Sequence, residues 1–208
     1  MPKNSIYGLD ALGVALQALG LFDEAKERFQ QGLTLIRDGN FRSWIPLWLY
    51  RLGKVNFQTG NFVRAERQFQ NSLTLAFEFD QLELGALNHN ALGILCFVEN
   101  DYLKVREHLQ SALETAMPLG RPPLLLSIFA TAAELFAEEG DPVYAALLAF
   151  SVTNHSASEA KVKDRANQLL TRLEAELHPN DLQKIRLRSQ QSDLDSLAAQ
   201  LVIDLEKQ

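Results

Sequence analysis

Aromatic and basic side chains that could recognise a ligand are concentrated between residues 44 and 54. Trp44, Trp48 and Tyr50 fall in one seven-residue stretch, and Arg51 and Lys54 follow within four residues. Aromatic surface beside cations suits an extended peptide or an acidic group, because apolar burial and charge-assisted hydrogen bonds act together. The alternative is that Trp44 and Trp48, spaced four residues apart, pack against neighbouring helices.

Sequence motifs for catalysis or metal binding are not found. Neither a G-x-x-x-x-G-K-[ST] nor a G-x-G-x-x-G loop occurs, and no H-E-x-x-H or paired-cysteine motif offers a zinc site. His89 and His108 lie in adjacent predicted helices, so a shared site stays open beside the alternative of surface or packing histidines. Cys96 stands between Leu95 and Phe97, which predicts a buried, unreactive thiol. We expect no catalytic residue, no metal and no cofactor, and a chain that is not an enzyme.

Composition narrows the classes of partner. The 208 residues are 47% hydrophobic and 22% charged, ordinary values for a globular chain. A net charge of −6 argues against direct nucleic-acid contact, which needs a clustered basic face. No apolar run approaches the roughly 20 residues of a membrane span, and no signal-peptide core follows the N-terminus. A single cysteine fits a reducing cytosol, so we expect a cytoplasmic protein without membrane contact.

A pattern of residue types repeats every 40 residues over the first three quarters of the chain. Its punctuating residues are Gly20, Gly60, Asn100 and Gly140. A small residue precedes each of them by seven positions, an aromatic follows three of them, and further small and apolar residues come next. These companions are Gly13, Gly53, Gly93 and Ala133; Phe22, Phe62 and Tyr102; Ala25, Ala65, Val105 and Ala145; and Phe29, Phe69, Leu109 and Ala149. Self-similarity at a fixed period is the signature of a repeat architecture.

Each 40-residue unit predicts two helices joined by a turn. In the first unit, leucines recur at the three- and four-residue spacing of one apolar helix face. They are Leu9, Leu12, Leu16 and Leu19. Gly20 ends this helix, because glycine accepts the left-handed conformation of a helix end, and a second helix is expected from about Phe22 to Ile36. We predict an all-α fold of four hairpins, at about residues 5–40, 41–80, 81–120 and 121–155.

The repeated small residues predict close contacts between helices. Gly13, Gly53 and Gly93 stand in mid-helix, where glycine costs about 1 kcal/mol relative to alanine. A cost repeated at one register indicates that the second helix of each hairpin crosses the first there. Ala25 and Ala65 are the positions expected to face these glycines. Phe29 and Phe69 are expected to pack in the same repeat contacts.

These features resemble the tetratricopeptide (TPR) repeat. That family shows Leu-Gly early in the first helix, a small residue at the turn, an aromatic two residues later, then alanine and an aromatic. Three units match and the fourth matches loosely. The 40-residue period is longer than the family's usual 34 or so, and the family's proline between repeats is absent. The resemblance implies a TPR-like solenoid, a right-handed α-α superhelix of about four hairpins.

The same resemblance implies a groove lined by the first helix of each hairpin. The register places ten candidate partner-binding residues there: Tyr7, Asp10, Gln17, Tyr50, Arg51, Lys54, Phe57, Asn90, Phe97 and Glu134. Such a groove implies a protein or a peptide as the partner. The carboxylate-clamp pattern of chaperone-binding TPR proteins is not reproduced, which argues against a chaperone tail.

Residues 156–208 leave the repeat register. Leucine-rich segments predict helices at about residues 158–177 and 182–187, and Asp193 can cap a final helix. Solenoids need terminal elements that cover the exposed face of the end repeat, so we expect these helices to cap the same domain. Their layout resembles the C-terminal end of TPR modules in bacterial signal-transduction ATPases and LuxR-type transcriptional regulators.

Two functions of different classes follow from the resemblance. The first is a non-catalytic TPR-like module that binds a protein or peptide, as the interaction or sensor region of a bacterial regulator of transcription or signal transduction. The alternative is a domain that senses a small molecule and controls an attached ATPase or DNA-binding domain. Homo-oligomerisation through an uncapped first hairpin also stays open.

Overall fold

The computed structural model describes residues 2–207, with side chains from residue 5 onward. Over this range the chain forms eleven α-helices, two short 3-10 helices and no strand, which confirms the all-α prediction. No helix in the described range combines the length and the apolar character needed to cross a membrane. The chain divides into two compact units, Met1–Leu95 and Cys96–Gln208.

The helices follow one another with short turns between them. The first unit contains α1 (Pro2–Ala18), α2 (Phe22–Asp38), α3 (Ile45–Gln58), α4 (Phe62–Glu78) and most of α5 (Leu82–Val98). The second contains α6 (Tyr102–Ala116), α7 (Pro122–Glu138), α8 (Pro142–Asn154), α9 (Ala160–Leu173), α10 (Pro179–Gln191) and α11 (Leu194–Glu206). The 3-10 helices are Arg42–Trp44 and Met117–Leu119.

Left-handed residues mark the chain at an interval of 20 residues, half the period seen in the sequence. A residue with positive φ stands at positions 20, 40, 60, 80, 100, 120 and 140. Four of these are glycines, and the other three are Asn40, Asp80 and Asn100, with φ of 56°, 55° and 59°. Asparagine and aspartate are among the L-residues that most readily adopt this conformation. The 40-residue pattern therefore consists of two helix-plus-turn units.

At six of these seven positions, the left-handed residue closes the preceding helix with a pair of hydrogen bonds. After α3, the Gly60 N–H donates to the Phe57 carbonyl at 3.0 Å and the Asn61 N–H donates to the Asn56 carbonyl at 2.8 Å. The same pair recurs at positions 20, 40, 80, 100 and 140. This is the Schellman arrangement, which satisfies carbonyls that a helix end otherwise leaves unpaired.

Substitutions at Gly60 should separate backbone strain from steric overlap, because a Cβ there would meet no atom within 4 Å. We expect Gly60→Ala to lower the free energy of unfolding by about 1 kcal/mol, since alanine is strained at positive φ. Gly60→Asn should cost less than half of that, because asparagine already occupies this conformation at two equivalent turns. Urea denaturation measures both changes, and equal costs for the two variants would contradict this explanation.

The predicted close helix crossing is present in both hairpins of the first unit. A Cβ built on Gly13 would stand 2.5 Å from the Phe29 ring, and one on Gly53 would stand 2.6 Å from the Phe69 ring. Either contact is closer than real carbon atoms approach. The glycines therefore make room for the aromatic rings of the second helices, α2 and α4.

The facing residues differ from the prediction. The aromatic rings of Phe29 and Phe69 face the glycines, and not the small residues Ala25 and Ala65. Both alanines are fully buried, one helical turn before the rings. The prediction of a tight crossing is confirmed, but a flat ring fills the space that we assigned to a methyl group.

The buried face of α1 also differs from the prediction. Leu12 and Leu19 are 46% and 74% exposed. The buried positions of this helix are instead Ile6, Gly13 and Gln17. The leucine spacing predicted the helix correctly but placed its buried face about a quarter turn from the observed one. An exposed apolar residue carries the same periodic signal as a buried one, so spacing alone does not distinguish them.

The packing of α2 against α3 depends on Trp48. This side chain is 2% exposed and lies against Gly32, where a Cβ would stand 1.9 Å from the indole ring. The indole also meets the Phe29 ring edge-on, with centroids 5.9 Å apart. Trp48 is therefore a core residue, as the packing alternative held.

The next interface fills the same register with a buried polar chain. Ser72 and Asn88 stand 40 residues after Gly32 and Trp48. The Asn88 Nδ2 group donates to Ser72 Oγ at 2.9 Å, and Ser72 Oγ donates to the Pro46 carbonyl at 2.7 Å. The repeat therefore conserves the place of the contact while its chemistry changes from apolar to polar.

In the second unit, α8 forms the centre of the packing. It packs against α7, α9 and α10, so the helices after the repeats cover faces of the last hairpin. Asp141 caps α8 by accepting from the Tyr144 N–H at 2.9 Å, and Pro142 occupies its first turn, where its missing N–H is no loss. Asp193 caps α11 by accepting from the Ser196 N–H at 3.1 Å, also as predicted. The helices expected at 158–177 and 182–187 are Ala160–Leu173 and Pro179–Gln191.

Arg106 of α6 forms hydrogen bonds that hold the C-terminal helix α11 in place. Its Nη1 group donates to the carbonyls of Asp204, Leu205 and Lys207 at 3.1, 3.2 and 3.1 Å. Its other nitrogens donate to both carboxylate oxygens of Glu139. A cation at a helix C-terminus also interacts favourably with the helix dipole. One guanidinium thus joins α6, the end of α7 and the end of α11.

Candidate binding site

Two side-chain contacts join α1 to α3 in the first unit. Arg51 Nε donates to Asp10 Oδ1 at 3.2 Å, and Gln17 Nε2 donates to Gln58 Oε1 at 2.6 Å. Three of these four residues are predicted groove residues, so the structure brings them together on one face, the first-helix face of α1 and α3. The Arg51 charge already has a carboxylate partner, and an acidic ligand would have to compete with Asp10 for it.

The rest of this face carries aromatic and basic surface. Lys54 Nζ lies 5.5 Å from the centre of the Tyr50 ring, a cation–π contact. Phe57 packs against Phe62 at 5.5 Å, and Tyr50 packs against Phe69 at 5.9 Å. The predicted groove residues Tyr50, Lys54 and Phe57 of α3 are half-buried. Each presents part of its side chain to solvent while neighbouring rings hold the other part in place.

The aromatic and basic cluster read from the sequence splits into separate faces. Trp48 lies in the core, whereas Tyr50, Arg51 and Lys54 lie on the first-helix face. Trp44 precedes α3 in the 3-10 helix Arg42–Trp44. Because Trp44 belongs to the 3-10 helix and not to α3, its half-buried ring lies toward the start of α1. There it meets the Tyr7 ring with centroids 5.0 Å apart.

A cleft of about 260 Å³ opens beside these two rings. We call it the aromatic cleft; it is lined by Ile6, Tyr7, Asp10, Ser43, Trp44, Leu47, Trp48 and Gln81. Tyr7 is 62% exposed at its rim. Two of the predicted groove residues, Tyr7 and Asp10, therefore border a concave site. Asp10 lies at the boundary between the cleft and the first-helix face.

Local hydrogen bonds position the wall of the cleft. The Trp44 N–H donates to the Phe41 carbonyl at 2.9 Å, directly after the left-handed Asn40. Gln81 Nε2 donates to the Ser43 carbonyl at 2.6 Å, which ties the 3-10 helix to the start of α5. Ser43 and Gln81 were not predicted from the sequence. Their roles depend on a contact between residues 38 positions apart, and no local pattern signals it.

The volume of the cleft indicates which class of ligand it can hold. Small-molecule pockets usually measure about 300–1,000 Å³, and this cleft is smaller. Its walls are mainly aromatic and aliphatic, with the Asp10 carboxylate and the Ser43 and Gln81 side chains at the edge. This combination suits one large apolar side chain whose backbone or polar neighbour contacts the rim.

Two other predicted groove residues in the first unit are mostly inaccessible. Gln17 is buried and donates its amide to Gln58. Asn90 of α5 is also buried, at 3% exposure. Both side chains therefore offer little surface to a partner. Their burial supports a role in helix packing better than a role in binding.

The predicted groove residues of the second unit lie against α9. Glu134 accepts from Arg165 Nε and Nη2 at 3.0 and 2.6 Å. Phe97 and Glu134 border a shallow cleft of about 210 Å³ together with residues of α9. A helix from beyond the repeats thus covers the acidic face of α7. The sequence placed Glu134 in an open groove because no local signal links it to an arginine 31 residues later.

Tyr144 and Asp101 lie outside these surfaces, and neighbouring groups shift the pKa of each. Burial, and then the negative charge of Asp204, raise the pKa of the Tyr144 phenol, so this hydroxyl stays protonated at neutral pH. Hydrogen bonds from Lys104 lower the pKa of Asp101, which also caps α6. Cys96 is buried, as predicted. Within the described residues, no cluster of three or more histidine, cysteine, aspartate or glutamate side chains is placed to hold a metal ion.

Comparison with known proteins adds no assignment. No protein-family model matches the chain, and no curated protein matches it at significant similarity.

Proposed function

We propose that this chain is a non-catalytic helical-repeat module that binds a peptide segment of a protein partner. The observation that carries this proposal is the aromatic cleft, where Tyr7 and Trp44 present rings around a hollow sized for one side chain. Aromatic anchors in pockets dominate the energy of many protein interfaces. The adjoining first-helix face, with Tyr50, Arg51 and Lys54, would contact the rest of the peptide.

The TPR resemblance supports the same proposal. It implies that the hairpins are TPR-like, that they build a right-handed superhelix, and that the groove of first helices receives the partner. By the same resemblance, the module is the interaction or sensor region of a cytoplasmic bacterial regulator of transcription or signal transduction. The sequence motifs, and not the helical fold, carry this part of the proposal.

The cleft chemistry indicates what kind of peptide to expect. Asp10 is paired with Arg51 yet keeps one carboxylate oxygen outside that contact, since the described bond uses Oδ1. A large apolar or aromatic side chain would fill the hollow, and a basic or N–H-rich neighbour would face Asp10. Lys54 lies further along α3 and would favour an acidic residue at a more distant peptide position.

Peptide display against the folded protein tests this proposal. We expect enriched peptides to share one large apolar residue, and Trp44→Ala to raise their Kd by about 10- to 30-fold, the usual effect of losing an aromatic anchor. The matched control is Val63→Ala, because Val63 is an 82% exposed apolar residue that does not line the cleft. Selected peptides that bind Trp44→Ala and the wild-type protein equally would refute the cleft as the binding site.

A second candidate function, sensing a small molecule, is favoured by a larger cleft in the second unit. This cleft measures about 600 Å³, within the usual range for small-molecule sites, and Phe136, Tyr144 and Leu147 are among its lining residues. A metabolite panel in a thermal-shift assay tests it. A ligand at 100 times its Kd adds about 2.7 kcal/mol to stability. Retention of such a shift in Tyr144→Phe and Leu147→Ala would place the ligand elsewhere.

A further inference from the structure

The cleft of about 600 Å³ in the second unit opens beside α8, and much of its lining is apolar. Phe136 of α7, Leu147 of α8 and Ile185 of α10 line it, and all three side chains are buried. Val143, which is half-exposed, and Tyr144 add to the apolar lining. We call this the α8 cleft. A ligand held there would bury an apolar body against these five side chains.

Packing around Phe136 holds the aromatic wall of the α8 cleft in place. The Tyr144 ring meets the Phe136 ring edge-on, with centroids 4.8 Å apart. The Arg106 guanidinium lies 5.5 Å from the centre of the Phe136 ring, and its hydrogen bonds join α6 to the ends of α7 and α11. Because neighbouring groups already fix these side chains, a ligand bound here would cost little further ordering.

Charged side chains also border the α8 cleft, and most of them are committed to partners within the protein. The charged lining residues are Arg106, Glu139, Asp141, Arg188, Asp204 and Lys207. Arg106 pairs with Glu139, and Asp141 caps α8. Lys207 Nζ pairs with Asp204 Oδ1 at 2.6 Å. The charges of Arg106 and Lys207 are therefore already neutralised by carboxylates.

Arg188 of α10 is the exception among the cations of this lining. Its backbone carbonyl accepts from Ser192, whereas no hydrogen bond or ion pair of its guanidinium occurs within the described part of the chain. Burial raises the pKa of the Tyr144 phenol, and the positive charge of Arg188 opposes that rise, so the guanidinium lies near this ring. The N–H donors of Arg188 are thus available at the edge of an apolar cleft.

We propose that the α8 cleft binds a small monocarboxylate with an aromatic or branched aliphatic body, whose carboxylate pairs with Arg188. This proposal rests on the second candidate function, because it names the class of ligand for the same cleft. A planar guanidinium matches a carboxylate with two parallel hydrogen bonds. A second negative charge on the ligand would find the other cations of the lining already paired. A cationic ligand would meet the unpaired charge of Arg188.

NMR titration of the isotope-labelled chain at neutral pH tests the class of ligand. The probes are phenylacetate and indoleacetate, and the matched controls are their uncharged amides, phenylacetamide and indoleacetamide. We expect the carboxylates to bind with a Kd on the order of 1 mM, because such fragments make few contacts. The amides should bind about 5- to 10-fold more weakly, since they lack the charge-assisted hydrogen bonds to Arg188. Backbone signals of Val143, Tyr144 and Leu147 should shift with both kinds of probe.

Arg188→Gln isolates the carboxylate contact. This variant should raise the Kd of the two carboxylates about 5- to 10-fold and leave the Kd of the amides unchanged, so the preference for a carboxylate disappears. Arg186→Gln is the matched control, because Arg186 is an arginine of the same helix that does not line the cleft. Both arginines are exposed, so neither substitution opens a cavity in the core.

The results that would overturn this proposal differ in what they imply for the cleft. Equal Kd values for carboxylates and amides, with shifts at Val143, Tyr144 and Leu147, would exclude the carboxylate class and leave the cleft a small-molecule site. No shift at these residues with any probe would exclude the carboxylate class and count against the small-molecule site as well. A carboxylate preference that survives in Arg188→Gln would exclude Arg188 as the residue that binds the anion.

Discussion

Gly32→Ala is expected to lower the free energy of unfolding by about 2 kcal/mol, although alanine is the better helix former. Overpacking a core costs up to about 3 kcal/mol, and replacing a mid-helix glycine returns up to about 1 kcal/mol. At Gly32 the overlap is severe, since the new Cβ would stand 1.9 Å from the Trp48 ring. The indole also packs edge-on against Phe29 and is 2% exposed, so a shift away from the new Cβ would disturb the core.

Two comparisons isolate this contact. Gly8→Ala is the matched control, because no atom lies within 4 Å of a Cβ there; it should gain up to about 1 kcal/mol. In a Trp48→Leu background, Gly32→Ala should cost far less, which gives a coupling energy in a double-mutant cycle. Urea unfolding followed by far-UV circular dichroism measures the wild-type protein and the four variants. Additive effects of the two substitutions would contradict the direct contact.

Arg106→Ala is expected to lower the free energy of unfolding of the second unit by about 2–3 kcal/mol and to release α11. The substitution removes two hydrogen bonds to Glu139 and three to carbonyls of the α11 end. It also leaves a carboxylate without its partner in a place where both side chains are mostly buried, at 17% and 23% exposure. Breaking a fully buried pair costs roughly 3–5 kcal/mol, and partial exposure reduces that figure.

Hydrogen exchange distinguishes release of α11 from a general loss of stability. Amides of Leu194–Glu206 should lose more protection in Arg106→Ala than those of Pro122–Glu138. Lys104→Ala on the same helix is the control, because its ion pair with Asp101 is exposed and such pairs contribute less than about 1 kcal/mol. If hydrogen-exchange protection were lost uniformly across the second unit, Arg106 would not be specifically holding α11 in place.

The repeat made much of the helical framework predictable. Gly13 and Gly53 indicated tight crossings because a mid-helix glycine repeated at one register needs a steric reason, and both crossings are present. Asp193 marked the start of the last helix through local chemistry that needs no tertiary partner. Such signals depend on the backbone of a few neighbouring residues, so sequence alone contains them.

The missed features depend on distant neighbours. Leu12 and Leu19 carry the periodicity of a buried face, yet no neighbouring helix within the first unit covers them. Glu134 is a predicted groove residue, and Arg165 of α9 neutralises it. Asp80 shows no turn signal comparable to glycine, yet it adopts the left-handed conformation because its place in the 20-residue interval requires one. Periodicity describes a helix, whereas exposure and pairing are properties of the assembled fold.

Only part of the candidate site was predicted, because its remaining residues also depend on contacts with distant parts of the chain. Tyr7, Asp10 and Arg51 were among ten residues that the TPR resemblance placed in one groove, and the structure joins Asp10 to Arg51 directly. Trp44 was read as part of a helical cluster with Trp48. Its 3-10 helix turns it toward Tyr7 instead, and that turn creates the aromatic cleft.

Fluorine NMR of protein labelled with 5-fluorotryptophan tests the central claim most directly. The chain has two tryptophans, so Trp44 at the cleft and Trp48 in the core each give one resonance. With a saturating peptide from display selection, we predict a larger shift of the Trp44 resonance than of the Trp48 resonance, because Trp48 lines the cleft but is 2% exposed. A bound peptide that leaves the Trp44 resonance unmoved would contradict binding in the aromatic cleft.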